Sequence, residues 1–146
     1  MKKNALIVLL VFSGLVSGVF LFNKKTPEPV ESDLILQYAD SVAEGILQSF
    51  NSGSYSEFSK NFSETMKGSV PESGFMENRN LIRSEIGEYV SKEFWKSGQE
   101  GLYYNVYYKA DFNNEEEKVS VLIIFEEISG EMKVSGLWFD SPKLRE

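Results

Sequence analysis

The chain has 146 residues, enough for one domain of ordinary size, and a composition of 42% hydrophobic and 25% charged residues excludes disorder for most of its length. It holds no cysteine and no histidine, which excludes disulfides, thiolate nucleophiles, cysteine-ligated metals and lipidation at an export cysteine, and removes the commonest general base and metal ligand. The net charge is −7; without Lys2, Lys3, Lys24 and Lys25 the remainder carries −11, with 11 basic against 22 acidic residues, so nucleic acid is not an expected partner and anionic lipid surfaces should repel the domain.

Residues 4–23 carry no charge over 20 positions and run almost wholly apolar from Ala5 to Phe22. A helix of that length spans about 30 Å, the thickness of a hydrocarbon core. Val16-Ser17-Gly18 offers a mediocre cleavage site for a signal peptide, but the apolar run continues past it to Lys24 and Lys25, which favours a retained anchor. The expectation is a membrane segment over residues 1–25, a stiff Pro-containing linker over 26–32, an extracytoplasmic domain over 33–142 and a tail over 143–146. If the segment is cut, the domain is secreted.

Within the domain, Ile35, Tyr38, Ala39, Val42, Ala43, Ile46, Leu47 and Phe50 fall in steps of three and four, which predicts a long amphipathic helix. Asn51-Ser52-Gly53 should end it. The capping pattern Ser54-Tyr55-Ser56-Glu57 predicts a short second helix with Tyr55, Phe58 and Phe62 on one face. A second such pattern, Ser69-Val70-Pro71-Glu72, opens a third helix through Phe75, Arg79, Ile82 and Ile86, stopped at Gly87. The period then changes to two, and four strands are expected over 88–97, 102–112, 118–127 and 132–140. Tyr104, Val106, Tyr108, Ala110 and Phe112 should face the core, as should Val119, Val121, Ile123 and Phe125. Leu122 and Ile124 give the third strand a second apolar face, which marks it as central. The short connections require antiparallel pairing. The fold class is therefore α+β: three N-terminal helices and a curved, cone-shaped four-stranded antiparallel sheet, preceded by the hydrophobic membrane segment.

This order resembles the cystatin-like cone superfamily typified by nuclear transport factor two, and more narrowly a secreted prokaryotic branch of domains of unknown function. The resemblance rests on Ser52-Gly53-Ser54-Tyr55, Phe62, Met66-Lys67, Ile86-Gly87, Tyr103-Tyr104-Asn105-Val106-Tyr107 and Val134-Ser135-Gly136-Leu137-Trp138-Phe139. It implies a cone whose inner pocket, in some members, houses isomerases or dehydratases with an Asp base, often paired with His. The Asp–His version is impossible here. Other members bind small ligands, dimerise or serve as accessory domains of envelope proteins.

Four residues are the candidates for a ligand site. Tyr104, Tyr108 and Trp138 have aromatic bodies with polar tips that suit an apolar or saccharide ligand, and they equally suit plain core filling. Asp140 follows Trp138 closely, where an indole neighbour would raise a carboxyl pKa, and it equally suits a strand-end residue that bonds the turn before Pro142. The acids of Glu115-Glu116-Glu117 and Glu126-Glu127 lack the spacing of a calcium loop and read as a solvated face. Asn61-Phe62-Ser63 matches a glycosylation sequon. No cofactor or metal is expected. The leading expectation is a non-enzymatic module that binds a small ligand or a neighbouring envelope protein through the concave sheet face, with a homodimer through the convex face as a further expectation. The alternatives are a small lyase or isomerase using a pocket carboxylate such as Asp140 with a tyrosine, and a spacer whose cone is filled.

Overall fold

The computed structural model describes residues 33–145 and the backbone of residues 7–10. The chain order is β1 (Ile7–Leu10), α1 (Asp33–Ser52), α2 (Tyr55–Ser59), α3 (Glu64–Ser69), α4 (Glu72–Ile86), β2 (Tyr89–Glu100), β3 (Tyr103–Phe112), β4 (Val119–Ile128), β5 (Glu131–Asp140) and α5 (Pro142–Arg145). An α+β domain with helices before a four-stranded antiparallel sheet is therefore present, with β1 added to one edge in the order β1-β5-β4-β3-β2.

The long helix forms where its stripe predicts, burying Ala39, Val42, Ala43, Ile46, Leu47 and Phe50. It ends because Gly53 adopts φ 80°, and the Gly53 N–H closes the last turn on the Ser49 carbonyl at 2.7 Å. Arg79 then reaches over from α4 and donates to the Phe50 and Asn51 carbonyls at 2.9 and 3.0 Å, placing a cation at the negative end of α1. Ser54 caps α2 as expected, accepting from the Glu57 N–H. Among the described residues four helices precede β2 rather than three. The extra one, α3, is capped by Ser63, which accepts from the Met66 N–H at 3.1 Å, and it has too few residues to show a period. The pattern from Ser69 to Glu72 does not act as a box: Ser69 closes α3, and Pro71 stands at the start of α4 with no side-chain cap.

The helices lay an aromatic layer on the sheet. Phe50, Phe58 and Phe75 pack with centroids 4.4 to 5.6 Å apart, and Phe50 meets Phe139 of β5 at 5.2 Å. The inner face carries the predicted residues of β3 and β4, all buried. β4 is central, and Leu122 and Ile124 on its outer face form a second small cluster with Tyr103, Tyr107 and Trp138. One bulge corrects a simple alternation: Phe125 pairs with Val134 and Ile124 with Gly136, so Ser135 is the extra residue, and Val134 and Leu137 are both buried in the main core.

The free edge of β5 is covered in two parts. Near its start, Asn61 and Ser63 exchange main-chain bonds with Val134 at 2.7 and 2.9 Å; further along, Ile7–Leu10 pair with Phe139 to Gly136. Four residues of the predicted membrane segment thus have extended backbone, and the rest of residues 1–32 lies outside the described residues. Among the described residues no helix is long and apolar enough to cross a membrane. Residues 142–145, expected as strand end and tail, form a helical turn whose Leu144 is fully buried.

Candidate functional site

The four residues expected to line a ligand site lie on two faces of the sheet. Tyr104 and Tyr108 point into the core and keep 9% and 1% of their surface. Trp138 stands opposite Leu122 in the outer cluster. Asp140 lies across from Ser120, and its carboxylate takes both arms of Arg145 at 2.7 and 3.0 Å. The period of two explains the division: within β5 beyond the bulge, 137 and 139 face inward, and 138 and 140 face out. An arrangement of Asp140 with Tyr104 or Tyr108 around one ligand is therefore not assembled.

The inner face does hold a polar group that the sequence reading missed. Lys92 of β2 is almost buried, and its ammonium bridges Asp40 at 2.9 Å and Glu44 at 3.2 Å, both on the outer side of the α1 stripe. The Tyr89 hydroxyl donates to Glu44 at 2.8 Å. Burial works against the Glu44 carboxylate, but hydrogen bonds from Gln48, Tyr89 and Lys92 outweigh it and hold its pKa below the ordinary glutamate value. Burial and the same Glu44 bond push the Tyr89 phenol up, and burial does the same for Tyr108, with the Asp40 charge adding to it. Glu44 is thus held as a carboxylate and Tyr89 and Tyr108 as phenols at neutral pH, and the Lys92 bridges make this cluster an ionic clasp between α1 and β2. The Tyr108 hydroxyl is buried and has no hydrogen-bond partner among the described residues.

A concave site lies elsewhere, at the end of the domain where the chain enters α1. A groove of about 410 Å³ is lined by Leu34, Ile35, Tyr38, Asn61, Glu131, Met132 and Lys133, within the range of small-ligand sites. Tyr38 sets its shape: its hydroxyl donates to the Met132 carbonyl at 2.9 Å, and its ring leans on Phe125 at 5.9 Å. The hairpin that supplies Glu131 to Lys133 turns at Ser129 and Gly130, both with positive φ, as a two-residue hairpin loop requires. Glu131 and Lys133 pair at 3.2 Å, so the rim carries no net charge. Leu34 is 77% exposed, and Tyr38 and Ile128, the latter opposite Glu131, are also exposed. Three of the chain's exposed large apolar side chains thus gather at this one end. The signal was present in Leu34, an apolar residue off the helix stripe. The partners were not, because nothing local to α1 says that Asn61 and Met132 come to meet it. Among the described residues no cluster of acids could hold a metal ion.

The match to known families covers most of this architecture. The chain belongs to the family described as Protein of unknown function (DUF3887), whose model matches residues 43–137. Neither the curated proteins nor the solved structures give a match. The matched span begins inside α1 and ends before Trp138, so Leu34, Ile35, Tyr38 and Asp140 fall outside it, and Asn61 and Glu131 to Lys133 fall within.

Proposed function

We propose that this chain is a non-enzymatic, extracytoplasmic binding module on a cystatin-like cone, tethered at the membrane through residues 4–23 in a state in which residues 7–10 leave the β5 edge they cover in this structure, and that it takes an apolar ligand in the groove between α1 and the β4–β5 hairpin. The observation that carries the reading is the groove itself: an apolar floor of Leu34, Ile35, Tyr38 and Met132 with a rim of balanced charge. Covering such a floor stabilises a complex by roughly 25 cal/mol per Å² of apolar surface removed from water, and a neutral rim does not favour a charged guest. A small apolar molecule fits this description, as does an apolar segment of a neighbouring envelope protein. The inner sheet face, where the leading expectation put the ligand, is filled by the aromatic layer of Phe50, Phe58, Phe75 and Tyr108, as the spacer alternative expects, so the binding reading rests on the groove at the rim alone.

Photo-crosslinking in the chain's own membrane tests the reading. A benzoylphenylalanine at position 34 should give a discrete adduct, and one at Glu116, exposed at the opposite end of the sheet, should not. Equal labelling at both positions, or none at 34, contradicts the proposal and leaves the spacer role as the better account.

A further inference from the structure

The outer face of the sheet carries a second feature, built around Trp95. Of the eleven cationic side chains from Lys60 to Arg145, nine meet a carboxylate or a main-chain carbonyl. The other two, Lys96 and Lys109, have no such partner among the described residues. Both rest on one indole. The Lys109 ammonium lies 3.8 Å from the centre of the Trp95 ring and the Lys96 ammonium 4.4 Å, and Lys96 is also 4.7 Å from the Tyr107 ring.

The arrangement depends on a bulge. Phe94 pairs with Tyr108 and Lys96 with Tyr107, which leaves Trp95 as the extra residue and swings it onto the Tyr107 edge at 5.7 Å. The indole is 45% exposed, Lys96 is exposed and Lys109 is half-buried, and each ammonium keeps donors to spare. Lys109 also donates to the Ser120 hydroxyl at 3.0 Å. That hydroxyl accepts from the lysine and keeps its own proton to give.

We propose that Lys96, Lys109 and Ser120 form an anion site that takes a phosphate monoester. A phosphate group carries about −1.5 to −2 at neutral pH and three strong acceptor oxygens, which matches two ammonium groups that meet no carboxylate at ion-pair distance, with Glu93 across the strand from Lys109, and one free hydroxyl proton. A carboxylate would leave one of the two charges unmatched. The aromatic rings order the lysines before binding, which lowers the entropic cost of engaging them. The net charge of −11 on residues 26–146 disfavours approach to an anionic bilayer, so the ester is expected on a soluble molecule. The site is on a different face from the apolar groove and does not rest on it.

Trp95 reports on the site directly. In the full-length chain in neutral detergent, with Trp138→Phe to leave one indole, glycerol 3-phosphate should give a saturable change in emission that sodium chloride at equal ionic strength does not. Lys96→Gln and Lys109→Gln should each weaken binding about tenfold, the worth of one charge-assisted hydrogen bond, and Lys67→Gln should leave it unchanged. No response at about 10 mM ester, the weak end of specific binding, overturns the proposal. So does a response reproduced by chloride or kept in both glutamine variants. Binding confined to phosphatidate vesicles, with none to the soluble ester, overturns its assignment to a soluble molecule.

Discussion

Gly87 sits at φ 84° and ψ −145°, in a region that side chains rarely adopt. A Cβ there would lie 2.0 Å from Asn113 Oδ1, the atom that accepts the Glu88 N–H at 2.9 Å, while the Asn113 N–H returns to the Glu88 carbonyl. Asn51 does the same for the next residue, its amide both accepting from and donating to the Tyr89 main chain at 2.9 Å. Two asparagine side chains, one from the end of α1 and one from the β3–β4 turn, therefore seat Tyr89 and Glu88 at the entry to β2. Gly87→Ala should cost about 3 kcal/mol through backbone strain and the lost Asn113 bond, read as a lowered midpoint in thermal unfolding. A loss below about 0.5 kcal/mol would show that the turn relaxes freely. The stop at Gly87 was legible in the sequence. The roles of Asn51 and Asn113 were not, because their partners lie 38 and 25 residues away in the chain.

At the scale of elements, the strong periods carried most of the fold. The α1 stripe, the inward set of β3 and the two-faced β4 all stand where their spacing places them. The sequence reading failed where a local rule competes with tertiary contacts. α3 is held by one serine cap and a buried Met66, too little for a pattern. The bulges at Trp95 and Ser135 each shift one strand against its neighbour, which a strict period of two cannot foresee. Beside the Phe50–Phe75 contact, α1 is tied to α4 by Arg79, which sequence placed only on a helix face. Its two bonds to α1 carbonyls are charge-assisted, so Arg79→Met should cost about 2 kcal/mol in urea unfolding with an unchanged slope. A neutral result would show that water satisfies those carbonyls equally well.

For the whole molecule, charge predicts how stability varies with pH. Glu44 has its pKa lowered in the fold, with burial opposed and outweighed by hydrogen bonds, and Glu115 is lowered in the same way, by bonds from Lys143, Ser141 and Glu117. A depressed folded pKa means that the unfolded chain binds the proton first as pH falls, so this stabilisation is fully present above the unfolded glutamate value of about 4.3 and is lost below it. The melting temperature should hold from pH 7 to about 5 and fall below about 4.3, and Glu44→Gln should make that fall shallower. An unchanged acid limb in the variant would show that the clasp with Lys92 does not contribute.

The site was less legible than the fold for the same reason as the asparagine bonds. Tyr104, Tyr108, Trp138 and Asp140 are close in sequence or in kind, but strand alternation sends them to opposite faces, and the groove is assembled from α1, the Asn61 turn and the β4–β5 hairpin. Its apolar floor is the central claim about function. Native mass spectrometry of the full-length chain, extracted gently from its own membrane beside a Leu34→Asp variant, tests that claim most directly. The account predicts an added mass retained by the natural chain and lost from the variant, with both folded. An apo mass for both, or an added mass that Leu34→Asp leaves in place, would contradict it.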